Sequence, residues 1–302
     1  MLKIKPGEVS TGKLHAYLLG AIAPRPIAFA STLDKNGVPN LSPFSFFNAF
    51  GSNPATLIFS PARRVRDNTI KHTLENIYET KEVVINAVNY EMVHQMSLSS
   101  VEFPKGVNEF EKSGFTPTAS EIVKPFRVKE SPVQMECRVV EVKEMGNEGG
   151  AANLIICEML LMHINENILD AHGRIDPHKI DLVARMGSDF YCRASGGAVF
   201  EVAKPSGSHA IGFDSIPERI RMSKVLTGNN LGQLGNAASL PAWDEVSLIR
   251  QDEKVREVFE RFQLDEESME NHLHLLAKDF LEEGRVADAW KILLLPDFHE
   301  QH

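Results

Sequence analysis

Apolar and polar positions in the first two-thirds of the chain fall into runs of strand length. Residues 26–32 are β-compatible and lead into Asp34-Lys35-Asn36-Gly37, a good hairpin turn because Asn and Gly tolerate positive φ. Residues 55–60 and 82–88 are compact apolar runs. In residues 133–142 the apolar positions alternate as Val133, Met135, Cys137 and Val139, then change phase to Val140 and Val142. A phase change inside an alternating strand predicts a bulge. Gly146 to Gly150 supplies a loop and residues 154–164 return as an apolar strand, so a hairpin is expected. Short helices are predicted at 73–81, 91–99 and 107–113. Many strands with few helices between them argue for a mainly β, antiparallel barrel.

The texture changes after about Gly207. Residues 228–241 are rich in Gly and Asn and read as a connection. Val255, Val258, Phe259 and Phe262 then follow helical spacing, as do Met269, Leu273, Leu276 and Phe280, and Val286, Ala289, Trp290 and Leu293. The expected organisation is a barrel domain over 1–215 and a helical extension over 216–302, packed on the barrel or on a second subunit.

Composition narrows the function. Of 302 residues 43% are apolar and 24% charged, the profile of a globular chain with a sizeable core. The net charge is −9, and from Pro217 onward the balance is 10 Lys+Arg against 17 Asp+Glu. Acidic helices repel phosphates, so no nucleic-acid partner is expected. Cys137, Cys157 and Cys192 are odd in number, widely spaced and form no CxxC, which favours reduced thiols and a cytoplasmic protein. Residues 14–23 have the outline of a secretory signal, but Glu8 and Pro24 argue against it. Residues 39–62 carry no charge, yet Pro39, Pro43, Pro54 and Pro61 exclude a membrane helix.

Familiar motifs are missing. There is no GxGxxG, P-loop, GxSxG elbow or HExxH helix. Ser10 to Lys13 fits SxxK, a pattern short enough to arise by chance. His272 and His274 do not share a helix face and read as surface residues, while His172 and His178 flank a turn. No metal site is expected.

The informative block lies between Ala23 and Asn76. An uncharged stretch offers aromatic rings beside Ser, Asn and free backbone groups, and it is read as a Pro-rich loop whose N–H and C=O groups need partners. Arg63, Arg64 and Arg66 follow, then Lys71 at the start of a helix. Arg binds phosphate as a planar fork, and a helix N-terminus adds N–H groups and positive potential. Thr73 is placed to cap that helix or donate to the anion. A ring-binding loop followed by a phosphate site describes a mononucleotide, best fitted by flavin mononucleotide (FMN). The same residues also suit a plainer arrangement, a core strand pair with aromatic filling and a solvated basic loop.

Several ordered blocks resemble the flavin reductase-like, FMN-binding split-barrel family, in the branch of the nitrilotriacetate monooxygenase reductase component. They are Ala23-Pro24-Arg25-Pro26-Ile27-Ala28, Ser31-Thr32, Ser42 to Asn48, Lys71 to Ile77, Phe103 to Phe115, Glu136-Cys137, Arg174 to Pro177 and Arg185 to Tyr191. The resemblance implies a six-stranded Greek-key split barrel and a homodimer with FMN near the interface. It places Ser31 and Thr32 along the flavin and Ser45, Phe46, Phe47 and Asn48 at its pyrimidine edge. Arg64, Lys71 and Thr73 would hold the phosphate, and Arg185 and Tyr191 would close over the flavin and nicotinamide. His stands near the Arg185 position in many simpler reductases, and His72 replaces a common Asp.

The expected activity is that of an NAD(P)H-dependent flavin oxidoreductase, with NADH or NADPH as transient co-substrate and a monooxygenase as a partner. The flavin then carries the chemistry, and no protein residue is assigned as catalytic. An FMN enzyme acting on another small organic substrate and a non-catalytic flavin or haem carrier are the alternatives.

Overall fold

The computed structural model describes residues 1–205, 210–262 and 264–300. Two compact units emerge, Met1–Phe200 and Glu201–His302. Gly207 lies outside the described residues. The first unit ends ahead of the expected boundary at 215, because the segment before it belongs with the helices. Ile211 N–H donates to Ala237 O at 2.9 Å, Gly212 N–H to Gly235 O at 3.0 Å, and Ile216 is buried in the helical core.

The first unit contains α1 (Thr11–Ala21), β1 (Ala28–Leu33), β2 (Pro39–Phe44), β3 (Phe47–Ser52), β4 (Ala55–Phe59), α2 (His72–Thr80), β5 (Glu82–Asn86), α3 (Val93–Leu98) and α4 (Glu109–Ser113). Two short strands follow, β6 (Pro117–Thr118) and β7 (Arg127–Val128). The long pair β8 (Val133–Glu144) and β9 (Asn153–Ile164) comes next, then α5 (Pro177–Ile180), β10 (Val183–Arg185) and β11 (Tyr191–Arg193). One antiparallel sheet has seven strands in the order β2-β1-β5-β8-β9-β4-β3. Its two edges, β2 and β3, are joined by Ser45 and Phe46 alone. That link spans at most about 11 Å, whereas a flat sheet of this many strands is roughly 29 Å wide. The sheet therefore rolls until its edges approach, and with no ladder between β2 and β3 the roll is split along a seam.

The sheet has seven strands where the resemblance implied six, and the Pro-rich stretch is not a loop. It forms β2 and β3; Pro39 and Pro43 are tolerated in β2 because it is an edge strand with a ladder on one side only, and Pro54 falls in the turn between β3 and β4. The phase change in β8 is a bulge: Val139 pairs with Cys157 and Glu141 with Ile156, leaving Val140 unpaired and 65% exposed. Asp34 builds the hairpin turn by accepting the N–H groups of Asn36 and Val38, with Gly37 at φ +83°.

The roll is filled by Ala28, Ala30, Phe44, Phe59, Ile85 and Ile155, with Leu74 and Ile77 of α2 among them. On the other face Phe29 and Leu41 pack with Met92, Met96 and Phe110. Thus β1 is buried on both sides. A fully buried Glu136 holds the 121–123 segment through the N–H groups of Glu121, Ile122 and Val123, and it contacts His163 Nε2 at 2.8 Å. Burial pushes its carboxyl up, but these hydrogen bonds outweigh it and hold the group at about 2. Ser10 Oγ accepts Lys13 N–H at 3.3 Å, so the SxxK match is the N-cap of α1.

The second unit is helical: α6 (Glu218–Arg221), α7 (Gly228–Gly235), α8 (Trp243–Leu248), α9 (Glu253–Arg261), α10 (Glu266–Glu282) and α11 (Val286–Glu300). Its core includes Ile220, Leu231, Leu273, Phe280, Trp290 and Leu293. Most of the Gly/Asn stretch is therefore a helix rather than a connection. A reciprocal cap between Thr227 and Asn230 starts it, and Leu231 and Leu234 bury its inner face. His274, expected at the surface, is 3% exposed and contacts Ser223 Oγ through Nδ1 at 2.7 Å. Among the described residues no helix is long and apolar enough to cross a membrane, and no His, Cys, Asp and Glu cluster suits a metal ion.

Candidate functional site

After β4 the chain turns through Arg63, Arg64 and Arg66 before entering α2 at Lys71. The guanidinium of Arg64 is fixed on one side, donating from Nη1 to Thr69 Oγ1 at 2.7 Å and Ile70 O at 2.8 Å. Its Nε donates to Glu102 Oε1 at 2.9 Å. Arg66 reaches the other oxygen of Glu102, and Lys71 Nζ lies 3.7 Å from Oε1. Arg63 instead braces the loop through Asn68. Burial and then the Arg64 charge lower the Lys71 pKa from its ordinary value. A cleft lined by Asn40, Ser42, Arg64, Lys71, Thr73 and Glu102 therefore brings two cations onto one carboxylate of the chain itself, and Arg66 reaches the same carboxylate from outside the lining.

Thr73 does not cap α2. The N-cap is Lys71, no side chain caps the helix, and Thr73 sits in its first turn. Its hydroxyl donates to Asn40 Oδ1 at 2.7 Å, and Asn40 Nδ2 donates to the buried Glu109 at 3.0 Å. Glu109 also accepts Leu41 N–H at 3.1 Å. Burial raises its pKa against these hydrogen bonds. The chain of bonds orients Thr73 and leaves the first-turn N–H groups of α2 without a capping side chain.

The far end of β2 carries a second group. Arg25, only 4% exposed, donates to Ile22 O at 2.9 Å, Met186 O at 2.8 Å and Ser45 Oγ at 3.3 Å, and also to Leu19 O. It ties the end of α1, the β10–β11 turn and the β2–β3 corner together. Arg25 N–H also donates to Arg185 O at 2.9 Å, while the Arg185 guanidinium lies 4.6 Å from the centre of the Tyr191 ring. At the corner Phe46 meets His15 edge-on with centroids 5.9 Å apart. Phe47 is half-buried and Asn48 exposed.

Ser31 and Thr32 are both buried but point to opposite faces of β1, as successive strand residues must. Thr32 Oγ1 accepts from Asn76 of α2 at 3.1 Å, whereas Ser31 Oγ is buried with no hydrogen-bond partner. The expected residues thus fall into a cationic end with Arg64, Lys71 and Thr73 and a corner end with Ser45, Phe46, Arg185 and Tyr191. Arg25, Asn40, Glu102 and Glu109 join them without having been singled out. Arg25 and Glu109 lie in blocks that carry the resemblance and Asn40 in the uncharged stretch, but the partners of Asn40, Glu102 and Glu109 lie 33 to 69 residues away, which no local spacing reveals.

Residues 20–178 match the flavin reductase like domain. An uncharacterized protein of Aquifex aeolicus is 38% identical over 65% of this chain and 97% of its own length. One from Halalkalibacterium halodurans is 32% identical over 68% and 97%. Nitrilotriacetate monooxygenase component B from Bacillus cereus superposes with a TM-score of 0.62 at 29% identity, over 67% of this chain and 98% of that one. A Shewanella frigidimarina protein described as a flavin reductase with a split barrel domain gives 0.56 at 25%, over 67% and 100%. Fold and relatives define the class, a mainly β, flavin-binding oxidoreductase. The chain belongs to the flavin reductase-like family.

Proposed function

We propose that the protein is an NAD(P)H-dependent flavin oxidoreductase that binds FMN, works as a cytoplasmic homodimer and passes reduced flavin to a monooxygenase. The observation that carries this reading is the cationic cleft joined by β2 to a polar corner. From Asn40 to Ser45 the strand rises about 16 Å, a span suited to a mononucleotide with phosphate at one end and ring at the other. The donor set fits the group: cations already surround a carboxylate, and Ser31 Oγ is a buried hydroxyl awaiting a partner.

Arg64 and Lys71 would bind the phosphate, with the uncapped N-terminus of α2 adding N–H donors. Backbone groups of Ser45 to Asn48 would hold the pyrimidine edge, and Ser31 or Thr32 would lie along the ring. The stacked pair Arg185 and Tyr191 would cover the ring and exclude water where the nicotinamide docks. When bound, FMN supplies hydride-accepting chemistry, so the chain needs no acid, base or nucleophile of its own. Leu160, Met162 and Ile164 alternate along one face of β9 and are each more than a third exposed, an apolar strip suited to a second copy. The free thiols fit a reducing compartment.

The test is an absorbance spectrum of the FMN-loaded protein before and after NADH or NADPH under anaerobic conditions. Bleaching of the yellow band by either nicotinamide is expected. A loaded protein that neither bleaches would be a carrier, and a protein that takes up no flavin would refute the site.

A further inference from the structure

The cationic cleft is not open. Glu102, in the segment after α3, places its carboxylate where an incoming anion would sit, on Arg64 Nε at 2.9 Å, on Arg66 and 3.7 Å from Lys71 Nζ. Arg64 does not need this contact for its position, because Thr69 and Ile70 hold its other edge. The Glu102 side chain is 36% exposed, so it can rotate into water without disturbing the core. Arg64, Arg66 and Lys71 bring three positive charges, Asp67 offsets one through Arg66, and Glu102 offsets another. A phosphate monoester carries close to two negative charges at neutral pH and offers three oxygens. It outmatches a single carboxylate for the same donors.

Resting on the reading of this cleft as the phosphate end of a mononucleotide site, we propose that Glu102 is a built-in competitor for the cofactor phosphate. Its carboxylate neutralises the cradle in the ligand-free protein and must leave before a phosphate monoester binds. Glu102 thereby sets how loosely the nucleotide is held, making it an exchangeable ligand rather than a permanent one. The hydrogen bonds from Arg64 and Arg66 that hold its carboxyl below the usual range agree with an anion-binding position.

Glu102→Gln keeps the shape and removes the charge. In a flavin-fluorescence titration the variant is expected to bind FMN about fivefold more tightly or better, the scale of one partly exposed charge-assisted contact. Riboflavin, which lacks the phosphate, should bind variant and parent alike. Unchanged or weaker FMN binding by the variant would overturn the proposal, weaker binding meaning that Glu102 orients the cations instead. Equal tightening of riboflavin would also overturn it. Inorganic phosphate separates this inference from the flavin reading. If neither protein binds any flavin but phosphate protects the variant against heat more than the parent, the competitor stands and the flavin assignment falls. If phosphate protects both equally as well, both fall.

Discussion

Arg64 and Lys71 approach one carboxylate from either side of a short loop, and this convergence makes them a pair rather than two surface cations. Replacing both by Ala should weaken FMN binding by about 150-fold, since two charge-assisted contacts of roughly 1.5 kcal/mol each are lost. Riboflavin affinity should stay within about twofold in the same titration, because only the phosphate is affected. Equal losses for both flavins would show that the pair supports the fold and not the anion. These two residues were legible because cations beside a helix start have a local meaning. Thr73 was legible in position but not in role. Its hydroxyl is committed to Asn40, whose orientation depends on Glu109, and that dependence runs through residues far apart in the chain. Arg25 shows the opposite case. A conspicuous arginine between two prolines gave no hint that its guanidinium would be buried among carbonyls of two segments and the hydroxyl of a third.

Among the elements, the long hairpin β8–β9 was the most readable, since alternation and a phase change translate directly into pairing and a bulge. The edge strand β2 was hidden by Pro39 and Pro43, which argue against a central strand but not against an edge, and β3 by the prolines on either side of it. Helix α7 was hidden by its glycines, whose low propensity is overridden by the Thr227–Asn230 cap and two buried leucines. Glu136 gives β8 a measurable pH signature. Its folded pKa of about 2 lies below the ordinary carboxylate value near 4.5, so its contribution is fully present above about pH 5 and lost as pH falls toward 2. The full shift corresponds to about 3 kcal/mol. Urea midpoints should show the parent more stable than Glu136→Gln at pH 6, with most of that advantage gone near pH 2.5. A difference independent of pH would mean that shape, not charge, holds the 121–123 segment.

At the scale of the whole molecule, the relatives are matched over nearly their entire length by about two-thirds of this chain. The flavin-binding machinery is therefore expected to lie within the first unit, and the helical unit to be an addition with a core of its own. Both tryptophans, Trp243 and Trp290, belong to that addition, and Trp290 is buried with its indole N–H donating to Leu234 O at 3.1 Å. Tryptophan emission consequently reports on the helices, while flavin binding reports on the barrel. Phe280→Ala removes a ring that is 1% exposed in the helical core and should destabilise that core by about 3–5 kcal/mol. The tryptophan transition in urea should move to lower denaturant, with FMN affinity unchanged within about twofold. A parallel fall in FMN affinity would mean that the flavin site depends on the helices, and the division of labour argued from the relatives' length would fail. The sequence made the division visible through charge and periodicity, since the acidity counted from Pro217 and the helical spacing from Val255 both fall after the last strand run. It could not show that the tail closes a core of its own, because that depends on contacts such as Trp290 with Leu234, 56 residues apart.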